Sequence, residues 1–204
     1  MTEEILHIKD ALQKTLIGEK AQYLMAPKNR RSLVTNLNPK KLQKAAVMLV
    51  LFYKNKDLHC VLLQRAKYIG PHSGQICFPG GKKEKTDKNL LDTAIRETYE
   101  EIHLSKKDYE ILGELSPLPI PVSKIQIYPF VAFAHDISSI QIDNFETKGI
   151  YQIPISFFKD KKNVLYFESP KESYPYYNYK QKKIWGATAM VISEFIEIIA
   201  LKNL

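Results

Sequence analysis

The chain has 204 residues, 45% of them hydrophobic and 25% charged, which is typical of a globular protein with one well-filled core. Its 30 Lys and Arg against 22 Asp and Glu give a formal net charge of +8, which suits an anionic partner such as phosphate, nucleic acid or a membrane surface. The Lys residues are scattered and no apolar run approaches the roughly 18 residues of a membrane span, so neither nucleic-acid binding as the main role nor membrane insertion is expected.

The cysteines and the N-terminus indicate a cytoplasmic protein. Cys60 and Cys77 lie in apolar surroundings without metal-ligand spacing, so we expect buried, reduced thiols. The N-terminus is acidic and lacks the basic-then-apolar layout of a signal peptide.

The first part of the chain predicts a helix and then a β-hairpin. Apolar residues recur with helical spacing over residues 3–16, and a polar connector with two prolines follows. Two apolar runs, 45–53 and 58–63, are separated by the polar residues 55–57, which is typical of a hairpin.

The rest of the chain alternates short strands with loops and helices. Residues 70–81 are rich in Gly and Pro and predict a loop with a short strand at 75–78, after which a helix begins with Asp87 as its N-cap. Further expected elements are strands at 109–115, 128–134, 150–155 and 164–167, a Pro-rich loop with Pro117, Pro119 and Pro121, a helical turn at 156–158 and a closing helix at 190–201.

Helices at both ends around many strands predict an α/β fold in which a mixed β-sheet lies between helices. We expect residues 1–40 to form an N-terminal extension of helix and connector, and residues 41–204 to form the main domain. The aromatic stretch Tyr174–Tyr179 is expected to be a packed or solvated loop, with stacking on an adenine as the alternative. Trp185 is expected in the core.

One helix carries an unusual set of charges. Glu97, Glu100 and Glu101 fall at positions i, i+3 and i+4, so the three carboxylates share one face, while an apolar set occupies another face (Leu91, Ile95, Thr98 and Ile102). Like charges at this spacing destabilise a helix, and a hard divalent cation would turn the repulsion into attraction. A solvated acidic surface is the alternative, but the adjacent Gly80-Gly81 turn and Arg96 favour a metal site.

These residues resemble a known motif. Gly81, Asp87, Arg96-Glu97, Glu100-Glu101 and Leu104 are similar to the Nudix box of diphosphate hydrolases, G-x5-E-x7-R-E-U-x-E-E-x-G-U, where U is aliphatic.

Further features resemble the coenzyme A diphosphatase branch of that family. The spacing from Gly81 to Arg96 is one residue longer than the usual form, and Asp87 replaces the first Glu. Residues 62–66, 74–81 and 185–189 are also similar to that branch. The resemblance covers roughly residues 45–200.

The resemblance implies a Nudix-type α/β/α sandwich and a metal-dependent hydrolase. Its substrate would be the diphosphate linkage of coenzyme A or acyl-coenzyme A, and its products adenosine 3′,5′-bisphosphate and (acyl-)4′-phosphopantetheine. Mg²⁺ or Mn²⁺ fits the all-oxygen ligands.

The resemblance also implies roles for individual residues. Glu97, Glu100 and Glu101 would be catalytic metal ligands, joined by the Gly80 carbonyl, and Arg96 would orient a ligand carboxylate. The general base stays open, with Glu97 as a weak candidate. Candidate substrate-binding residues are Arg65, Lys67 and Gly81.

Two positions depart from the pattern. Gly70 stands where the branch has an Arg, so a phosphate contact there would fall to Lys67 or Arg65. His103 stands where the box has a glycine, and we expect it to cost local stability at the helix end without changing the chemistry.

Other activities stay open on the sequence. The same chemistry fits another nucleoside diphosphate derivative, such as ADP-ribose, a nucleotide sugar, a dinucleoside polyphosphate or a nucleoside triphosphate. A non-catalytic nucleotide-binding module is a different class, although such modules often lose box carboxylates and this chain keeps three. Isomerase chemistry on isoprenoid diphosphates lacks a supporting Cys–Glu arrangement. The oligomeric state is open, with a homodimer as one option.

Overall fold

The structure is a computed structural model that describes residues 1–14, 16–35, 37–38, 41–70, 72–142, 147–170 and 172–201. Within these ranges the helices are α1 (Glu3–Lys14), α2 (Glu19–Gln22), α3 (Arg30–Thr35), α4 (Leu90–Ile102), α5 (Ile155–Lys159) and α6 (Gly186–Ala200). The strands are β1 (Gln43–Lys54), β2 (Asp57–Arg65), β3 (Ile76–Cys77), β4 (Gly80–Lys82), β5 (Tyr109–Glu114), β6 (Leu118–Ile120), β7 (Ile125–Ala134), β8 (Thr147–Pro154), β9 (Val164–Glu168), β10 (Ser173–Tyr179) and β11 (Lys182–Trp185).

The main sheet is mixed, as predicted. Its path runs β3-β2-β1-β7-β5, and β4, β6 and β8 pair with β1, β7 and β2 in turn. β1 and β7 are parallel, while the other pairs are antiparallel. The central strand β1 therefore pairs with β2, β4 and β7, and it places the β3–β4 segment beside the middle of the sheet.

Strand β1 divides the interior into two layers because side chains alternate along a strand. Met48 and Val50 belong to a core cluster that includes residues of α4, and Leu49 and Leu51 belong to a cluster that includes residues of α1 and α6. All four side chains are buried. Helices thus cover both faces of the sheet, and the α/β class is as expected.

The predicted hairpin is formed by β1 and β2. Lys54 pairs with Asp57, so Asn55 and Lys56 form a two-residue turn, and both have positive φ, at 51° and 70°. Positive φ at both turn positions matches the right-handed twist of the flanking strands.

Some segments predicted as loops are strands. The aromatic stretch 174–179 lies in β10, the middle of a second, three-stranded sheet with the order β11-β10-β9. Its predicted loop character was wrong because rings on alternate residues fill both faces of that sheet. Pro119 lies in the short strand β6 at the edge of the main sheet, where a missing N–H is tolerated.

The N-terminal segment contacts the rest of the molecule through apolar and polar groups. Ile5, Ile8 and Leu12 of α1 are buried in the same core cluster as residues of α6. The Glu194 side chain, on α6 and fully buried, accepts hydrogen bonds from Gly18 N at 3.0 Å and Gln22 Nε2 at 2.8 Å.

The expected connector holds α2 and α3, which the sequence analysis did not predict. The boundary proposed at residue 40 falls outside the described residues, and the division into extension and main domain stays a prediction. In the part of the chain that the structure describes, no helix is long and apolar enough to span a membrane.

Candidate active site

Helix α4 carries the acidic residues and begins later than predicted. Its N-cap is Asn89, whose side chain accepts a hydrogen bond from Asp92 N at 2.9 Å, so the prediction of Asp87 as N-cap was wrong. Asn satisfies the free N–H groups of a first turn as well as Asp does. Asp87 is thereby left available for another partner, which is Arg96.

The apolar face of α4 lies against the sheet as expected. Thr98 and Ile102 are buried, and Leu91 and Ile95 are partly buried against the same core cluster. The helix ends at His103, which has a left-handed φ of 56° and donates its backbone N–H to Tyr99 O at 2.8 Å. His103 adopts the conformation that glycine prefers at a helix end.

Arg96 connects the acidic residues to one another. Its Nη1 donates to Glu97 Oε1 and to Glu100 Oε2, each at 2.9 Å. Its Nη2 donates to the Lys82 carbonyl oxygen at 3.1 Å, which joins α4 to β4. The guanidinium thus offsets the repulsion between two of the carboxylates.

Asp87 anchors Arg96 from the other side. Its carboxylate accepts hydrogen bonds from Arg96 Nε at 3.0 Å and Arg96 Nη2 at 3.1 Å, and also from Glu84 N at 2.8 Å and Thr93 Oγ1 at 2.9 Å. Its side chain is only 4% exposed. The hydrogen bonds from Arg96 outweigh burial and hold the pKa of Asp87 well below its usual range.

Glu101 lies in a different environment from Glu97 and Glu100. It is 7% exposed, and its Oε2 accepts a hydrogen bond from Gly80 N at 2.9 Å, while the Glu97 and Glu100 side chains are 17% and 54% exposed. The exposure of the three carboxylates therefore increases from Glu101 through Glu97 to Glu100.

Arg65 lies beside Glu101 and Cys77. Its Nη1 is 4.0 Å from Cys77 Sγ. Burial opposes the positive charge of Arg65, but the Cys77 thiolate, which forms only at high pH, and the Glu101 carboxylate raise the pKa of Arg65 above its usual value. Burial raises the pKa of the Cys77 thiol to about 11, so Cys77 is a protonated neighbour at neutral pH.

Close contacts leave no room for a side chain at either glycine of the turn. Gly80 has a φ of 150°, and a Cβ there would lie 2.3 Å from the Ala46 carbonyl oxygen. A Cβ on Gly81 would lie 2.3 Å from Glu97 Oε1. The absence of a side chain at Gly81 therefore makes the space that the Glu97 carboxylate fills.

The remaining residues considered from the sequence lie on the loop between β2 and β3 or, like Glu84, after β4 near Arg96. Lys67 and Gly70 are exposed, and a Cβ on Gly74 would lie 3.5 Å from Lys67 Cγ. The His72 ring Nδ1 is 3.0 Å from Gln75 Oε1. The Glu84 side chain is 62% exposed and 4.0 Å from Arg96 Nη1. Arg65 is thus beside the acidic cluster, and Lys67 is on the open loop.

The donor set fits a hard divalent cation in its chemistry. The glutamate side chains offer only oxygen ligands. One of them, the Glu97 carboxylate, lies against the Gly81 backbone, in the space that a side chain at Gly81 would fill. Among the described residues, no three His, Cys, Asp or Glu groups are already arranged to hold a metal. In this arrangement Arg96 binds Glu97 and Glu100, and Glu101 faces Gly80 N.

The sequence pattern did not predict that Asp87 would bind Arg96 or that Thr93 would join the network. Asp87 matches the first acid of the box, so its position was a usable signal for a place in the network. Nothing in the sequence pattern distinguishes Thr93, whose hydroxyl donates to Asp87 Oδ2.

Comparison with solved structures supports the fold. The crystal structure of the Nudix hydrolase RenU from M. smegmatis aligns with a TM-score of 0.52 and 12% identity, over 78% of this chain and 86% of that one. A MutT/nudix family protein from Enterococcus faecalis aligns with a TM-score of 0.50 and 15% identity, over 98% of this chain and 73% of that one. The chain therefore has the same fold as these two solved structures.

Sequence comparison identifies the family. The NUDIX domain model matches residues 42–147, and the chain belongs to the Nudix family. A probable Nudix hydrolase of Schizosaccharomyces pombe is 29% identical over 181 residues, which cover 87% of this chain and 64% of the relative. The uncharacterised Nudix hydrolase NudL of Photorhabdus laumondii is 29% identical over 177 residues, which cover 83% of this chain and 94% of the relative. The expectation of an enzyme of the Nudix hydrolase class is confirmed.

Proposed function

We propose that this chain hydrolyses the diphosphate linkage of coenzyme A or acyl-coenzyme A. Adenosine 3′,5′-bisphosphate and (acyl-)4′-phosphopantetheine would be the products. The observation that carries the proposal is the joint arrangement of the Arg96-linked carboxylates, the Gly80-Gly81 turn and the partly buried Arg65. The similarity of residues 62–66, 74–81 and 185–189 to the coenzyme A diphosphatase branch selects the substrate.

The acidic residues would hold the metal that Nudix hydrolases generally use. Glu97, Glu100 and Glu101 are the proposed ligands, with the Gly80 carbonyl as a further donor and Mg²⁺ or Mn²⁺ as the ion. When bound, such a cation neutralises phosphate charge and makes water more acidic. Arg96 keeps Glu97 and Glu100 in place before binding, and Asp87 keeps Arg96 in place.

Arg65 is the residue best placed to contact substrate phosphate. Its guanidinium lies near Cys77 and interacts electrostatically with Glu101, so a phosphate next to the metal ligands would be attracted by its charge. Lys67, exposed on the β2–β3 loop, would contact a more distant phosphate such as the 3′-phosphate. Gly81 is the third proposed substrate-binding residue, because the Glu97 carboxylate fills the space of its missing side chain and the diphosphate would lie next to that carboxylate.

A second substrate class is favoured by one observation. Gly70 is exposed on the loop between β2 and β3 and offers no charge where the branch has Arg. The chain could therefore discriminate weakly for the 3′-phosphate and accept another nucleoside diphosphate derivative, such as ADP-ribose. The non-catalytic module is not favoured, because all three box carboxylates are present on α4.

Three substrates that share a diphosphate test the proposal. Coenzyme A, dephospho-coenzyme A and ADP-ribose are hydrolysed separately in Mg²⁺, and products are identified by mass spectrometry. Dephospho-coenzyme A lacks only the 3′-phosphate, and one partly exposed Lys or Arg contact to that group is worth roughly 1–2 kcal/mol. The kcat/KM for coenzyme A is expected to exceed that for dephospho-coenzyme A about fivefold, which corresponds to the low end of that free-energy range. The low end is expected because Gly70 replaces the branch Arg.

Lys67→Ala should reduce that preference, and Lys85→Ala is the matched control. Lys85 is also exposed, but it lies beyond β4 instead of on the β2–β3 loop. Equal kcat/KM for ADP-ribose and coenzyme A would refute the coenzyme A assignment and leave the diphosphatase assignment intact.

A further inference from the structure

The second sheet carries a row of stacked rings on one face. Tyr174 lies between Phe167 and Trp185, with ring centroids 5.0 Å and 4.5 Å away and interplanar angles of 24° and 23°. Tyr174 is only 8% exposed because it is covered by these two rings. We call Phe167, Tyr174 and Trp185 the ring ladder.

The face that bears the ladder is partly exposed and carries the cation of Lys183. Leu165 on the same face is 40% exposed, and Tyr176, Phe167 and Trp185 are partly exposed. Lys183 Nζ lies 4.9 Å from the Phe167 ring centroid and 5.0 Å from that of Tyr176. The opposite face differs, since Tyr177 and Tyr179 pack on Phe158 and Phe157.

Strand β3 links the ladder to the segment that leads to the glycine turn of the candidate active site. Strand β11, which ends at Trp185, contacts β3, and Thr188 Oγ1 donates to the Ile76 carbonyl oxygen at 3.0 Å. Cys77 follows Ile76 and lies beside Arg65. Gly80 comes three residues after Cys77, which is at most roughly 10 Å of extended chain.

We propose that the ring ladder is the nucleobase subsite of this enzyme, in which the adenine of the substrate stacks on Trp185 and Lys183 supplies a second cation, besides Lys67, for the phosphate on the ribose. The inference rests on the proposed function and specifies where the adenosine part binds. An aromatic ring with a cation beside it suits a base that carries phosphate, because the ring stacks on the base while the cation balances the charge. Stacked rings are already parallel, so the base extends an existing stack instead of creating one.

Trp185 is the only tryptophan of the chain, so its fluorescence reports on the subsite directly. The full chain is titrated with adenosine 3′,5′-bisphosphate and, separately, with inorganic diphosphate, which has no base. The expected result is a saturable change in Trp185 fluorescence with the bisphosphate and none with diphosphate. Calorimetric binding of the bisphosphate without any fluorescence change would overturn the proposal, as would the absence of binding.

Two neighbouring lysines supply a matched pair of variants. Lys183 faces the ladder, and Lys182 is adjacent and points to the other face of the strand. Lys183→Gln should weaken bisphosphate binding about fivefold, the size of one partly exposed ionic contact, and Lys182→Gln should leave it unchanged. Equal effects of the two variants would refute the role of Lys183.

Catalysis gives an independent measurement. Trp185→Leu should raise KM for coenzyme A about five- to hundredfold, the scale of losing one base–aromatic stack, and Trp185→Phe should restore part of it. An unchanged KM in Trp185→Leu would overturn the subsite while leaving the proposed function standing. Bisphosphate-dependent fluorescence without coenzyme A hydrolysis would support the subsite and overturn the proposed function.

Discussion

Arg96 and its partners decide the electrostatics of the site at the level of single residues. One guanidinium contacts Asp87, Glu97 and Glu100, while Glu101 is held by Gly80 N. The acidic helix face is therefore stabilised by the protein itself before any cation is present. Each carboxylate has a distinct partner or exposure, so substitutions of these residues should differ in their effects.

Glu101→Gln tests the buried member of the acidic series. The amide keeps the size of the side chain and removes its charge, so kcat should fall by about two to four orders of magnitude with the fold intact. Turnover is measured in saturating Mg²⁺, and circular dichroism checks the fold. Glu114→Gln, an exposed carboxylate at the end of β5, is the control and should keep wild-type turnover. Near wild-type kcat in Glu101→Gln would remove Glu101 from the site.

Asp87→Asn should lower the free energy of unfolding by about 1–3 kcal/mol, because a buried carboxylate that accepts charged hydrogen bonds is lost. Folding lowers the pKa of Asp87, so its stabilisation is complete above the unfolded value of about 3.9 and is lost as the pH falls below it. Urea unfolding at pH 7 and pH 2.5 measures the effect. The difference between wild type and variant should shrink at the lower pH.

The exposed Asp10 supplies the comparison for this measurement. Asp10→Asn should change stability by less than about 0.5 kcal/mol at either pH. A pH-independent loss in Asp87→Asn would show that packing, and not charge, accounts for the effect.

The sequence predicted the site well where residues recur with helical spacing. The shared face of the glutamates and the apolar face of α4 follow from that periodicity alone. The periodicity did not predict that Arg96 would donate hydrogen bonds to both Glu97 and Glu100. Side-chain rotamers and hydrogen-bond partners also depend on residues outside the helix, such as Asp87. The metal, catalytic and substrate-binding roles of the site residues stay predictions.

At the level of elements, some helices and strands are determined by the local sequence and others by pairing with distant strands. The β1–β2 hairpin was predicted because its polar turn separates two apolar runs, and α6 was predicted because of its apolar periodicity. Strands β4 and β6 were missed because each has three residues and contains Gly or Pro, so only pairing with β1 or β7 defines them. Strand β10 was missed because tyrosines suit a loop, a strand or a binding surface equally well.

His103→Gly should stabilise the end of α4. A non-glycine residue with positive φ is strained, and glycine adopts this conformation at no steric cost, so the free energy of unfolding should rise by about 0.5–1 kcal/mol. Thermal and urea unfolding measure the change, and kcat should stay unchanged. Ser105→Gly is the control: Ser105 has a φ of −77°, so glycine there only loosens the unfolded chain and should lower stability.

At the scale of the whole molecule, the N-terminal segment contributes side chains to the larger core cluster. Leu12 is 5% exposed and belongs to the larger core cluster, and Leu6 on the same helix is 46% exposed. The buried Glu194 side chain has hydrogen-bond donors from the same segment. We infer that the segment before β1 folds with the rest of the chain.

Leu12→Ala and Leu6→Ala test this dependence as a pair. Leu12→Ala should cost about 2–5 kcal/mol because it opens a cavity in the core, while Leu6→Ala should cost less than about 1 kcal/mol. Fluorescence of Trp185 and circular dichroism should report one coincident transition for wild type and for both variants. Two separate transitions, with only one of them affected by Leu12→Ala, would support an independent extension instead.

The central position of β1 also determines the order in which the chain can assemble. Its hairpin partner β2 is joined to it by two residues, whereas Gln43 must wait for Ile125 before the parallel β1–β7 pair can form. During synthesis, one edge of β1 therefore stays without β7 until the ribosome has passed the whole acidic helix. An unpaired apolar edge is a template for aggregation, so expression at low temperature or with a chaperone that shields strands should raise the yield of folded protein.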